Sequence, residues 1–138
     1  MSLISFLSTN AKKIESQKYI VSNRFLDNGE SVKWQLVCIT ALENNEIRDS
    51  CYRTVASAKR GEDLRVLDTG LYQAKITARC VRFPDLEDIE LQNSYGVHTS
   101  EDLIRTMLSP GEFESLSEKV LEINGFKSEE ELVDMAKN

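Results

Sequence analysis

A change of hydrophobic period between residues 39 and 40 constrains this chain more than any other feature of its sequence. Before it, residues 18–25 and 31–39 are rich in Val, Ile, Tyr, Phe and Trp and flank Asp27-Asn28-Gly29-Glu30. The Asn28-Gly29 pair suits a type I′ turn, whose two positive φ angles match the twist of the flanking strands, so the segment reads as a β-hairpin. Beyond it, apolar side chains recur about every 3.6 residues, the spacing of amphipathic helices. This order predicts an α+β protein, mostly α, with an N-terminal β-hairpin packed on a bundle of about five to six short helices.

Centring the turn on Asn28-Gly29 pairs Phe25 with Val32, Asn23 with Trp34, Val21 with Leu36 and Tyr19 with Cys38 on one face. Arg24 with Lys33 and Ser22 with Gln35 fall on the other, where Ile20 and Val37 add an apolar patch. A two-stranded hairpin is marginal alone, so its apolar face must pack on helices or on another chain. Its edges offer strand addition to a partner or to another copy.

Thr40-Ala41-Leu42-Glu43 has the spacing of a capping box and predicts a first helix carrying Ile47, Cys51, Val55 and Ala58 on one stripe. Lys59-Arg60-Gly61-Glu62-Asp63 breaks that pattern and predicts a loop across residues 57–67. Residues 69–83 carry two stripes, Leu71, Ala74, Ala78 and Val81 on one side and Tyr72, Ile76, Cys80 and Phe83 on another. A helix apolar on two sides is central in a bundle or shared with a partner. Pro84 ends it, Asp85 is the expected cap of a helix over residues 86–94, and Gly96 closes that helix. Thr99 with Asp102, Ser109-Pro110-Gly111-Glu112, and Ser128 with Glu131 mark three further helix starts. The second of these helices turns Phe113, Leu116, Val120 and Ile123 inward and ends at Gly125; the third turns Leu132, Met135 and Ala136 inward.

At 138 residues the chain fits one domain, 1–138, divided into an arm (1–18), the hairpin (18–39) and a helical part (40–138). The arm opens on an apolar knot, Leu3-Ile4-Ser5-Phe6-Leu7, and turns polar, which suggests a loosely held segment. No apolar run approaches the roughly 18 to 20 residues of a membrane span, and no basic region precedes the knot as in a secretory signal. A cytoplasmic protein without a membrane partner is expected. Cys38, Cys51 and Cys80 are an odd count with no CxxC pair, and read as reduced core residues.

The net charge of −6 is unevenly spread: residues 85–138 carry 14 acidic and 4 basic residues, net −10, whereas residues 1–84 carry 9 acidic and 13 basic, net +4. Nucleic-acid binding draws on neutralising phosphates, so the acidic half excludes a nucleic-acid partner, and a helix-turn-helix reading fails because its recognition helix would carry only Arg105 or Lys119. The acidic residues either cover solvated helix faces or form a face offered to a basic partner. Glu87, Asp88, Glu90, Glu129, Glu130 and Glu131 lie where helix N-termini favour negative charge, without catalysis. The lone histidine, His98, has no ligand neighbour at metal spacing, and phosphate-loop, dinucleotide and hydrolase motifs are absent. These observations point to a protein that is not an enzyme and uses no cofactor or metal.

Several strings carry a family likeness. Phe83-Pro84-Asp85-Leu86, Leu91-Gln92-Asn93-Ser94-Tyr95-Gly96-Val97, Glu101-Asp102-Leu103 to Met107-Leu108-Ser109-Pro110-Gly111-Glu112, and Glu122-Ile123-Asn124-Gly125-Phe126 resemble the C-terminal half of the XkdN-like family of phage tail assembly chaperones. Val32-Lys33-Trp34 and Asn45-Glu46-Ile47-Arg48-Asp49-Ser50-Cys51 resemble its N-terminal half. The likeness runs from about residue 20 to the end and leaves the arm outside it. It implies a bacteriophage or prophage protein in the bacterial host cytoplasm, binding the tape-measure protein or another tail protein during tail morphogenesis and absent from the finished particle. Self-association into a homo-oligomer is compatible with it, and the alternative is a minor structural tail or connector protein retained in the virion. A long helical partner has apolar stripes that need cover, and Tyr72, Ile76, Cys80 and Phe83 are the candidate contacts, set against the plainer reading that the same four are merely core.

Overall fold

The computed structural model describes residues 2–59 and 61–126. An exposed arm with a 3-10 turn over Ile4–Phe6 leads into strand β1 (Gln17–Tyr19), the short strands β2 (Leu26–Asp27) and β3 (Glu30–Ser31), and β4 (Trp34–Leu36). Helix α1 (Ala41–Asp49), strands β5 (Tyr52–Ala56) and β6 (Asp63–Leu67), helix α2 (Thr69–Arg79) and strand β7 (Val81–Phe83) follow. Three helices complete the order, α3 (Ile89–Ser94), α4 (Ser100–Met107) and α5 (Pro110–Ile123). Among the described residues the protein is thus a mixture of five α-helices and small antiparallel sheets.

The tight turn forms where the sequence predicts it. Asn28 and Gly29 take φ of 52° and 81°, β2 pairs with β3, and the Val32 N–H donates to the Phe25 carbonyl. The ladder beyond differs from the expected register: Tyr19 lies opposite Trp34 rather than Cys38, a slip of four positions, and the pairs Val21–Leu36 and Asn23–Trp34 do not form. Residues 20–25 leave the sheet because they have better partners. Val21 and Ser22 are buried, and the Arg24 guanidinium reaches the Glu112 carboxylate and the Met107 carbonyl. An even slip preserves the faces, so Trp34 and Leu36 still point inward, at 2% and 0% exposure.

Two expected helices are shorter than their stripes. Helix α1 starts with the Thr40–Glu43 capping box but stops at Asp49, and Val55 sits on β5 instead of continuing the stripe. Cys51 is buried all the same, at the turn between helix and strand. The aromatic and β-branched run Tyr52-Arg53-Thr54-Val55 favours a strand. It pairs with β6 across part of the expected 57–67 loop. Helix α2 stops at Arg79, and Val81–Phe83 becomes the third strand of a sheet ordered β1-β4-β7, with Leu36 opposite Val81. Pro84 disfavours helical backbone at Phe83, and the open edge of β4 supplies the alternative.

The C-terminal third follows its punctuation closely. The Asp85 carboxylate accepts the Glu87 N–H in a local turn, so the cap of α3 is Asp88 and that helix begins later than expected. Thr99 caps α4, and Ser109 with Glu112 forms a capping box on α5 behind Pro110. At the end of α5 the Gly125 and Phe126 N–H groups donate to Glu122 and Leu121, and Gly125 takes the positive φ that such a cap requires. The helix expected after Ser128 lies outside the described residues.

One core joins these pieces. Trp34 and Leu36 from β4 meet Ile76, Ala78 and Cys80 at α2, Leu103, Ile104 and Met107 from α4, and Leu116, Val120 and Ile123 from α5. Helix α2 is central, one of the two placements its double stripe allows, and packs against α1, α4, α5 and β7.

Candidate partner-binding surface

The four residues singled out as candidate contacts are divided by the fold. Ile76 lies mid-α2 at 1% exposure, and Cys80 caps that helix with its side chain in the core. Burial pushes the Cys80 thiol up to about 11, although the Asn124 side-chain amide, 3.3 Å from Sγ, favours the thiolate. Thiolate is the nucleophile, so this cysteine is inert while folded. Tyr72 is half-buried against the same core, and its hydroxyl donates to Asn44 Oδ1. Desolvation raises the pKa of the Tyr72 hydroxyl more than that hydrogen bond lowers it. Phe83 alone stands outside the cluster, 51% exposed. It lies on β7, whose outer edge pairs with no strand among the described residues.

Sequence reasoning noticed the apolar knot of the arm but did not rank it as a contact surface. In the structure Leu3, Ile4, Phe6 and Leu7 are all more than half exposed, and Ile14 is too. The available signal was an apolar cluster with no helical or strand period to tie it to a core. Ile89 and Leu42 are exposed at the starts of α3 and α1, and Ile20 is exposed beside β1.

Polar chemistry does not converge on this surface. One groove, about 260 Å³, lies between α1 and α2 and is lined by Glu43, Glu46, Ile47, Ser50 and Arg79. A second, about 400 Å³, runs past Lys75, Arg79 and Arg82 to Glu87 and Glu101. The Arg79 guanidinium is held by Glu43 at 2.7 Å, which spends that cation on tying α2 to α1. His98 is exposed before α4, and among the described residues no group of three or more His, Cys, Asp or Glu could hold a metal ion. No described helix is long and apolar enough to cross a membrane.

The most perturbed carboxyl is structural. Glu112 accepts the Ser109 N–H at 2.8 Å and both forks of Arg24. Arg24 first, then the Ser109 backbone and Ser22, hold its carboxyl well below the usual carboxylate range. The pair clamps the departed segment 20–25 onto the α4–α5 junction.

Among the described residues, fold and surface define a small mixed α/β protein whose edge and arm leave apolar side chains uncovered. Residues 3–137 match the family described as phage XkdN-like tail assembly chaperone protein, and the chain belongs to that family. The match takes in nearly all of the arm, which the sequence strings alone had left outside. The phage-like element PBSX protein XkdN of Bacillus subtilis (strain 168) is 28% identical, across 96% of this chain and 91% of that protein. YqbN of the same organism is 27% identical over the same shares. The crystal structure of the protein YqbN superposes with a TM-score of 0.77 at 24% identity, covering 92% of this chain and 98% of that one, a shared fold.

Proposed function

We propose that this protein is a non-catalytic chaperone that binds the tape-measure protein in the host cytoplasm during tail morphogenesis and leaves before the particle is complete. The observation that carries this reading is the apolar surface left uncovered among the described residues, Phe83 on the outer edge of β7 and Leu3, Ile4, Phe6 and Leu7 in the arm. Membership of the tail assembly chaperone family supports it. Large apolar side chains left in water are the currency of protein contacts, and a long helical partner displays the complementary stripes before it is packed into a tube. Of the four sequence candidates, Phe83 makes the direct contact, while Tyr72 is partly buried against the core and Ile76 and Cys80 lie within it.

Retention of the tape-measure protein by the folded, immobilised chain tests this. Wild type is expected to retain it, and Phe83→Ser or Phe6→Ser to weaken retention about tenfold, the worth of one buried aromatic anchor. No retention by wild type refutes the reading. Mass spectrometry of purified particles separates it from the structural alternative, because a virion component is present at fixed copy number and a chaperone is missing.

A further inference from the structure

We infer that the outer edge of β5 is a self-association site, pairing antiparallel with β5 of a second copy about a two-fold axis at Thr54. Among the described residues the β5–β6 hairpin forms a sheet of its own, joined to neither other sheet, and none of the side chains on its strands is buried. Val55, Leu64 and Val66 share one face of it. A two-stranded hairpin is marginal in water, and two further strands would make it a stable sheet.

The choice of occupant comes from comparing the free edges. Self-pairing over the full length of a strand places its central residue opposite the same residue of the second copy. The central residues of β1, β7 and β6 are Lys18, Arg82 and Arg65, all exposed, and each would face its own charge. Like charges directly opposite are unfavourable, and a basic residue is a common guard of an edge. Among the described edge strands of three or more residues, only β5 has a neutral centre, Thr54. Its single charge, Arg53, falls opposite Val55 of the second copy. Arg65 is drawn aside over the Tyr52 ring, 4.3 Å from its centroid.

The backbone pattern agrees. The Ser57 N–H donates to the Glu62 carbonyl and the Asp68 N–H to the Cys51 carbonyl, so the odd-numbered residues of β5 bond to β6. The N–H and C=O groups of Tyr52, Thr54 and Ala56 therefore point to the open edge. A two-fold at Thr54 pairs Thr54 with Thr54 and Tyr52 with Ala56, each as a reciprocal hydrogen-bonded pair. Threonine opposite threonine is a favourable cross-strand pair.

This inference does not depend on the chaperone reading. Sedimentation of the full chain over a concentration series is expected to show a weak dimer, with a dissociation constant of roughly 10 to 500 µM for so small an interface. Thr54→Lys puts an ammonium group opposite its copy and is expected to weaken association about tenfold or more, while Thr54→Val retains it. Thr54→Cys is expected to crosslink on oxidation, because hydrogen-bonded antiparallel pairs have Cα atoms about 5.5 Å apart, within disulfide range. Arg53→Cys and wild type should crosslink far less. A chain that stays monomeric throughout the series, or a dimer that Thr54→Lys leaves unchanged, overturns the inference. So does a Thr54→Lys variant that keeps its dimer but loses a tail-protein partner, which would assign the edge to that partner.

Discussion

Arg24 and Glu112 are the polar pair that fastens residues 20–25 to the α4–α5 junction. They draw residues 20–25 out of the hairpin ladder, and Glu112 also closes the capping box of α5. Because the Glu112 carboxyl is held well below its ordinary value of 4.5, the unfolded chain takes up its proton at a higher pH than the folded chain. The stabilisation is therefore complete above the ordinary value and is lost as pH falls below it. Denaturant midpoints measured from neutral to strongly acid pH should fall on the acid side, and Glu112→Gln should flatten that limb. The variant is expected to be less stable than wild type at neutral pH and to converge with it in acid. A parallel pair of curves would show that the clamp contributes nothing.

The elements differ in how far they could be read from the chain alone. The starts of α1, α4 and α5 were legible because a cap is a local device: Thr40, Thr99 and Ser109 each accept an N–H three residues on. The Asn28-Gly29 turn was legible for the same reason. Strand β7 was not, since Val81–Phe83 continues the helical stripe of α2 and becomes a strand only because β4 offers an edge far away in sequence. The slip of β1 had the same origin, a partner on α5. Strand β6 hid its alternation of Leu64 and Val66 behind charged neighbours. Of the candidate contacts, periodicity placed Ile76 on α2 and Cys80 at its end but could not tell a central helix from a shared one. Local stability should vary accordingly. Amides of β4 and α2, buried in the core, are expected to exchange only on global unfolding. Those of the β5–β6 hairpin, with no buried side chain, should exchange at least about a hundredfold faster in dilute, monomeric protein. Equal protection of both would contradict the hairpin's detachment.

At the scale of the whole molecule, the question is whether hairpin strands and helices form one cooperative unit. The geometry argues that they do, because β4 is covered on its inner face by residues from α2, α4 and α5 and held at both edges by β1 and β7. Leu36 sits at the centre of that arrangement with no exposure. Leu36→Ala removes a buried side chain between sheet and helices and is expected to cost roughly 2 to 5 kcal/mol. Trp34, the sole tryptophan, is buried beside it and reports the sheet, while far-ultraviolet circular dichroism reports the helices. In one unit both probes move to the same lower midpoint in the variant, as in wild type. If the tryptophan signal moved and the helical signal stayed, residues 18–39 and the helices would be separate units, and the single core described here could not be what holds them together.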